Sequence, residues 1–372
     1  MFHLGKSTVL GLDFGASSIK AVEISLSNRG AELLKFGEVN LKKIEDGLPS
    51  DSTRTFEEEM SLRVRALLQK MQIKTTKISM SLPAYIGLVS LAQFPYLKED
   101  ELASAIQFEA KKYIPSKIED VILSWDILHA DPPTEANPGG KMQLLLTAAV
   151  KKEVERYEQY LGNLGVRPVF EELEIFSLTR ALTREKIGTQ MLVDIGSKLT
   201  NLIVVQNGQV QANSAVSVGG KDITHTIANT MNIGKERADD LKKSGVDLLN
   251  SVESSIHFPA LETIFIEFKR LQELAFKKNP TAQCTEIILS GGGAQLTGLT
   301  NFFEKKLNLP TSIGDPWKGI KMPKGFVRSD YFDTQFTVAL GVAFGQKNGT
   351  VKSKVAMSGG KQGIFSLLNK KI

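Results

Sequence analysis

Apolar residues in the first part of the chain come in short blocks and alternations, the spacing of strands. Val9, Leu10 and Leu12 lead to Asp13 and a turn, and further strands are expected over 19–26 and 32–41, split by Asn28-Arg29-Gly30. The spacing then changes. Thr55-x-x-Glu58 is a capping box, and Val64, Leu67, Leu68 and Met71 behind it share one helical face. Ile78, Met80 and Leu82 alternate as a strand closed by Pro83. Residues 84–150 read as an inserted module. It has a strand over 86–94, a helix with Leu102, Ile106, Ala110 and Tyr113 as its buried stripe, and strands over 121–129 and 142–150. By themselves Phe108 and Tyr113 read as core aromatics, and Glu109 as an acid either solvated or paired with a base.

Val154, Tyr157 and Leu161 mark another helix, and 171–181 a further one. A second strand set opens at Gln190. Strands over 201–206 and 209–218 meet at Asn207-Gly208, the residues of a type I′ hairpin turn. Gly219-Gly220-Lys221-Asp222-Ile223-Thr224 opens a helix. Pro259 starts a long one whose core stripe is Leu261, Ile264, Phe265, Phe268, Leu271 and Ala275. Residues 336–344, with Gly341 and Gly345 beside them, read as a helix built for close packing. From Gln346 the chain turns polar and reads as a linker, ending in a short stretch (Ile364, Phe365, Leu367, Leu368, Ile372) that packs on the first lobe or stays disordered.

At 372 residues two lobes are expected rather than one core. An apolar fraction of 42% and a charged fraction of 23% are ordinary for a globular protein. The net charge of +5 is spread along the chain, which gives nucleic-acid binding no support. One cysteine, Cys284, allows neither a disulfide framework nor a thiolate metal site and fits a reducing cytoplasm. The four histidines lack ligand spacing, no apolar run is long enough for a membrane span, and the first six residues are too short for a signal peptide.

The chemistry lies in three turns. Asp13 stands where a strand ends; Gly15, Ala16, Ser17 and Ser18 form a small anion nest; Lys20 on the return strand offers a point charge for phosphate. Asp194, Gly196, Ser197, Lys198 and Thr200 repeat that grammar in the second half. Gly291-Gly292-Gly293 comes off another apolar strand. Two Asp-x-Gly hairpins followed by a strand–glycine–helix turn resemble the actin, Hsp70 and sugar-kinase superfamily. That resemblance implies an α/β, actin-like ATPase fold: two lobes of duplicated ribonuclease-H-like domains around ATP. It implies Mg²⁺ held by Asp13 and Asp194, through water because Mg²⁺ dehydrates reluctantly.

Phe108-Glu109-Ala110-Lys111-Lys112-Tyr113-Ile114-Pro115, the following Ile118-Glu119-Asp120-Val121, and Ala21-Val22-Glu23 after the first turn narrow the match. They resemble the PilM family of type IV pilus assembly, relatives of the cell-division protein FtsA, over residues 1–346. The resemblance implies subdomain IA over 1–83 and 151–189, an FtsA-type IC over 84–150, IIA over 190–218 and 284–346, IIB over 219–283, and a tail over 347–372. It implies Gly219 and Gly220 beside the nucleotide, with Asp239 and Lys242 facing the ribose and adenine, although Asp239 is one methylene shorter than the family's acid. Where the family reads Asp-Val-Glu-x-Phe-Ala, this chain has Glu172-Leu173-Glu174-Ile175-Phe176-Ser177. Glu172 is the candidate general base for an attacking water, or else a solvated acid at a helix N-terminus; no other catalytic residue is assigned.

By that resemblance the chain is an ATP-binding scaffold with slow hydrolysis or none. It would bind the N-terminal cytoplasmic peptide of PilN between IA and IC, and contact other platform and motor proteins of the pilus inner-membrane machine. It would lie in the cytoplasm, peripheral to the inner membrane, its membrane association mainly indirect. The alternatives are an FtsA-like cell-division or type II secretion protein, or a small-molecule kinase of the same superfamily.

Overall fold

The hairpin expected around Asp13 forms. β1 (Ser7–Phe14) pairs antiparallel with β2 (Ser18–Ser27), with Asp13 opposite Lys20, and β3 (Gly30–Asn40) adds to β2. The computed structural model describes residues 7–41, 44, 53–135, 138–184, 186–250, 256–277 and 283–348, so the C-terminal tail expected above lies outside the described residues. α1 (Phe56–Lys70) begins with the capping box: Thr55 Oγ1 accepts from the Glu58 N–H at 3.2 Å, and Glu58 accepts from the Thr55 N–H at 2.9 Å. Its Met60, Val64 and Leu67 are buried against the sheet. β4 (Ile78–Leu82) lies parallel to β1.

The chain then leaves this sheet. β5 (Gly87–Pro95), β6 (Val121–Asp131) and β7 (Lys141–Val150) make a separate antiparallel sheet in the order β5-β7-β6, and α2 (Glu99–Glu109) packs Leu102 and Ile106 onto one face of it. Phe108 departs from the expectation: it is 70% exposed. It stands two residues from Ile106 and therefore close to the opposite side of a helix. Glu109 takes the paired option, meeting Lys112 at 2.6 Å. α3 (Lys151–Gly162), β8 (Phe170–Leu173) and α4 (Glu174–Leu182) return the chain to the first sheet, with β8 parallel to β4.

The second lobe repeats the design. β9 (Thr189–Ile195), β10 (Thr200–Gln206) and β11 (Gln209–Val216) form an antiparallel run. Asn207 and Gly208 turn it with φ of 50° and 76°, the left-handed pair a type I′ turn requires. Then follow α5 (Gly220–Met231), α6 (Lys235–Lys243), α7 (Pro259–Phe276), β12 (Glu286–Ser290), α8 (Leu299–Leu307) and β13 (Thr311–Ile313). The sheet order is β11-β10-β9-β12-β13. α7 buries Leu261, Ile264, Phe265, Phe268 and Leu271, the stripe read from its spacing.

The last stretch corrects one expectation. Residues 284–346 do not all stay with the second lobe. β14 (Ile320–Lys321) joins β3, which makes the first sheet β14-β3-β2-β1-β4-β8. α9 (Asp330–Gln335) and α10 (Thr337–Asn348) follow, and Trp317, Phe332, Phe336 and Leu340 share a core with Val9, Val22 and Ile24 of the first sheet. Each large side chain so buried contributes about 1.5–3 kcal/mol. Small residues explain the fit. A Cβ on Gly11 would lie 2.0 Å from the Ala339 carbonyl, and one on Gly341 2.1 Å from the Ser177 carbonyl. α10 thus meets β1 and α4 at backbone contact, beside the junction of the lobes.

Candidate functional site

Two carboxylates, each closing the first strand of its lobe, face one space. Asp13 is buried, and the Ser81 hydroxyl on neighbouring β4 lies 3.4 Å from its Oδ1. Burial pushes the Asp13 carboxyl above its ordinary range, against the pull of Lys20 and Ser81. Asp194 is pushed up to about 6, chiefly by burial, with a hydrogen bond from Ser290 opposing and the charge of Asp13 adding to the rise. Asp13 and Asp194 come from separate sheets, and Glu174 at the start of α4 accepts from Asn201, which stands opposite Asp194, so the second turn is held against the first lobe. Lys20 is the cation that offsets both.

A third acid joins them. Glu174 is the first residue of α4, and its Oε1 accepts from the Ala84 N–H at 2.9 Å and from the Asn201 amide at 3.0 Å. It is pushed up to about 8 by burial and then by Asp13, with Asp194 adding to the rise and the two hydrogen bonds opposing it.

The sequence expectation chose the neighbouring acid, and the structure corrects it. Glu172 is fully buried and its carboxylate is occupied: Arg180 Nη1 and Nη2 donate to it at 2.5 and 2.6 Å, and Ser177 Oγ at 2.6 Å. Arg180 Nη1 also reaches the Gly341 carbonyl at 2.8 Å, so Glu172 faces α10 and not the two aspartates. Two of the departures from the family pattern, Glu172 and Ser177, therefore touch each other. Glu174 was missed, although it matches the pattern's third residue and begins the helix, the signal that would have found it.

The glycines close the rest of the space. Gly291 has φ of +79°, and a Cβ there would sit 2.5 Å from the Ile195 carbonyl and 3.0 Å from Asp194 Oδ1. A Cβ on Gly293 would strike Ile195 Cγ2 at 2.3 Å, and one on Gly292 would meet Gln335. The second turn leans on α5: the Gly220 N–H donates to Gly196 at 2.8 Å, and the Lys221 N–H to Ser197 at 2.9 Å. Gly219 has no room for a Cβ against Gly196 and Ser197, and Thr200 is anchored to the Val218 carbonyl at 2.8 Å. Lys198 beside them is half-buried. In the first turn Ala16 is exposed, Gly15 and Ser17 are half-buried and Ser18 is buried. Lys242 ties α6 to the start of α5, with its Nζ 2.6 Å from Thr224 Oγ1, 3.1 Å from the Gly220 carbonyl and 2.8 Å from Asp239. Burial would raise Asp239, but hydrogen bonds from Lys242 and Lys243 hold it down at about 2.

Among the described residues, no three His, Cys, Asp or Glu side chains converge to grip a metal ion directly.

Paired sheets, each led by an acidic hairpin, and two helices crossing between them define an actin-like ATPase fold. Within that class the chain belongs to the family described as type IV pilus assembly protein PilM, which matches residues 11–347. The cell-division protein FtsA of Borreliella burgdorferi is 21% identical over 388 aligned residues, covering 91% of this chain and 91% of the relative. Among solved structures, a PilM-PilN type IV pilus biogenesis complex superposes with a TM-score of 0.73 at 23% identity, covering 90% of this chain and 97% of that one. MreB 5 of Spiroplasma citri bound to AMPPNP gives 0.53 at 14% identity, covering 92% and 96%. The family model places the chain with PilM over residues 11–347, while FtsA matches over a similar share of the chain at only 21% identity.

Proposed function

We propose that this chain is a nucleotide-dependent scaffold of the type IV pilus inner-membrane platform, in which ATP and Mg²⁺ lie between the lobes and a peptide from PilN binds between the first lobe and the inserted sheet. The observation that carries this reading is the convergence of Asp13 and Asp194 from separate sheets. Asp13 and Asp194 hold Mg²⁺ through its waters. Lys20 and the backbone of Gly15 to Ser18 and Gly196 to Lys198 receive the phosphates. The glycines at 291–293 let the backbone approach the nucleoside, and Gly219, Gly220, Asp239 and Lys242 lie along the ribose and base. Glu174, not Glu172, faces the place where an attacking water would stand. The bound nucleotide supplies a reason for the lobes to hold one angle.

For the partner, a depression at the junction of the insert and α3 is lined by Lys117, Asp120, Val121, Val150, Lys151 and Glu155. Val121 and Val150 flanked by charges of both signs suit an extended peptide with alternating apolar and polar side chains. No helix among the described residues is long and apolar enough to cross a membrane. Recruitment through PilN, and through it to other platform and motor proteins, would hold the chain at the cytoplasmic face of the inner membrane. Calorimetry with magnesium ATP tests the site: micromolar or tighter binding is expected, lost in Asp13→Ala and in Asp194→Ala. Undiminished binding in both variants refutes it. A pull-down with a synthetic N-terminal PilN peptide, with and without ATP, tests the partner.

A further inference from the structure

We propose that Glu174 couples the contents of the cleft to the position of the inserted sheet, because one oxygen, Oε1, holds both the Ala84 N–H, where the chain departs for the insert, and the Asn201 amide beside Asp194. The proposal rests on the nucleotide reading above and adds a regulatory link to it.

The insert has two covalent connections to the first lobe, and each is fastened to a cleft residue. The outgoing one runs from Pro83 through Ala84 to Gly87, and its first N–H is given to Glu174 at 2.9 Å. The returning one leads from Val150 into α3, whose Tyr157 and Tyr160 rest on Phe14, the residue after Asp13, with ring centroids 5.8 and 5.5 Å apart. The hydroxyls of Tyr85 and Tyr157 lie 3.0 Å apart, which joins the two connections to each other. Glu174 also answers to the second lobe, since Asn201 stands opposite Asp194 in the β9–β10 ladder. A ligand that draws Glu174 toward the aspartates must therefore either carry Ala84 with it or release that N–H. The reverse also holds: a partner that shifts the insert moves Glu174. Linkage makes the effect equal in both directions, of the order of 5- to 150-fold in an equilibrium constant.

Hydrogen exchange on the full chain, with and without magnesium ATP, tests this in wild type, Glu174→Ala and Glu174→Gln. Glutamine keeps a carbonyl oxygen able to accept both N–H groups; alanine keeps none. Nucleotide should change exchange across 84–95 and 141–155 by about fivefold or more in wild type and Glu174→Gln. In Glu174→Ala those segments should stop responding while the turn at 9–20 still responds. A wild-type protein that binds nucleotide with an unchanged insert overturns the proposal, as does a full response in Glu174→Ala. Should Glu174→Ala not bind nucleotide, Tyr85→Phe severs the link between the two connections without touching the cleft. A weakened insert response there supports the proposal, and an undiminished one overturns it. Wild type that shows no nucleotide binding by calorimetry sinks the nucleotide reading and this proposal together, an outcome distinct from binding without transmission.

Discussion

Replacing Arg180 by methionine removes the partner of the most deeply buried ion pair in the first lobe. Glu172 accepts three hydrogen bonds, two from Arg180 and one from Ser177. Arg180→Met leaves one. Two lost bonds to a charged group, at about 1.5–3 kcal/mol each, put the cost near 3–6 kcal/mol. The general cost of stranding one member of a buried pair, about 3–5 kcal/mol, agrees. The Gly341 carbonyl also loses a donor, so α10 loosens against α4. For a chain of 372 residues that cost should lower the midpoint of thermal unfolding by about 4–8 °C. Glu172→Leu with Arg180→Met should recover most of the loss, because an apolar pair of similar volume has no stranded charge. Thermal and urea unfolding of the three proteins measure this, and nucleotide affinity in the double variant should stay within a fewfold of wild type, since Glu172 faces away from the cleft. A single variant within about 1 kcal/mol of wild type, or a double variant no better than the single, refutes the assignment.

Four further outcomes follow from the same geometry. Glu174 and Asp194 stand at about 8 and about 6, above their ordinary values of 4.5 and 3.8. The folded state therefore binds more protons than the unfolded one, and stability of the ligand-free protein should fall as pH rises from about 5 to about 8, less steeply in Glu174→Gln. Binding a divalent cation with nucleotide should release protons near pH 7, seen as heats that differ between buffers of different ionisation enthalpy; equal heats count against the cleft assignment. Gly341→Ala should cost about 1–3 kcal/mol in urea unfolding, because its Cβ would meet the Ser177 carbonyl at 2.1 Å. Phe108→Ser should leave the unfolding free energy within about 0.5 kcal/mol of wild type, since the ring is 70% exposed.

The local elements were legible because each rests on a short-range rule. The Thr55 box, the Asn207-Gly208 turn and the α7 stripe are written in spacing that one segment's own geometry enforces. The two acidic turns were legible because they repeat. What spacing does not contain is which lobe a segment joins. Residues 317–348 follow a second-lobe strand, yet they bury Trp317 and Phe336 on the first sheet because Gly11 and Gly341 leave space for α10 there. That complementarity spans more than three hundred positions of chain and has no local signature. Phe108 shows the same limit from the other side: an aromatic on an apolar helix reads as core until the helix phase is known.

The three acids of one short segment end up in three different surroundings. Glu171, Glu172 and Glu174 lie within four positions, and composition treats them alike. β8 alternates, so Glu171 and Glu172 leave opposite faces of the strand. Glu171 meets Glu158 of α3, and burial with that neighbouring carboxyl pushes it up to about 8. Glu172 turns inward to Arg180. At Leu173 the strand ends and a helix begins, so Glu174 obeys neither face of the ladder and its carboxyl swings into the cleft. The switch from a two-residue period to a helical one is what separates an acid that stiffens the helix crossing from one that faces the aspartates. An insertion of a single alanine between Leu173 and Glu174 should therefore abolish nucleotide response while the Glu172–Arg180 pair, six of whose eight intervening steps lie in α4, loses its register as well.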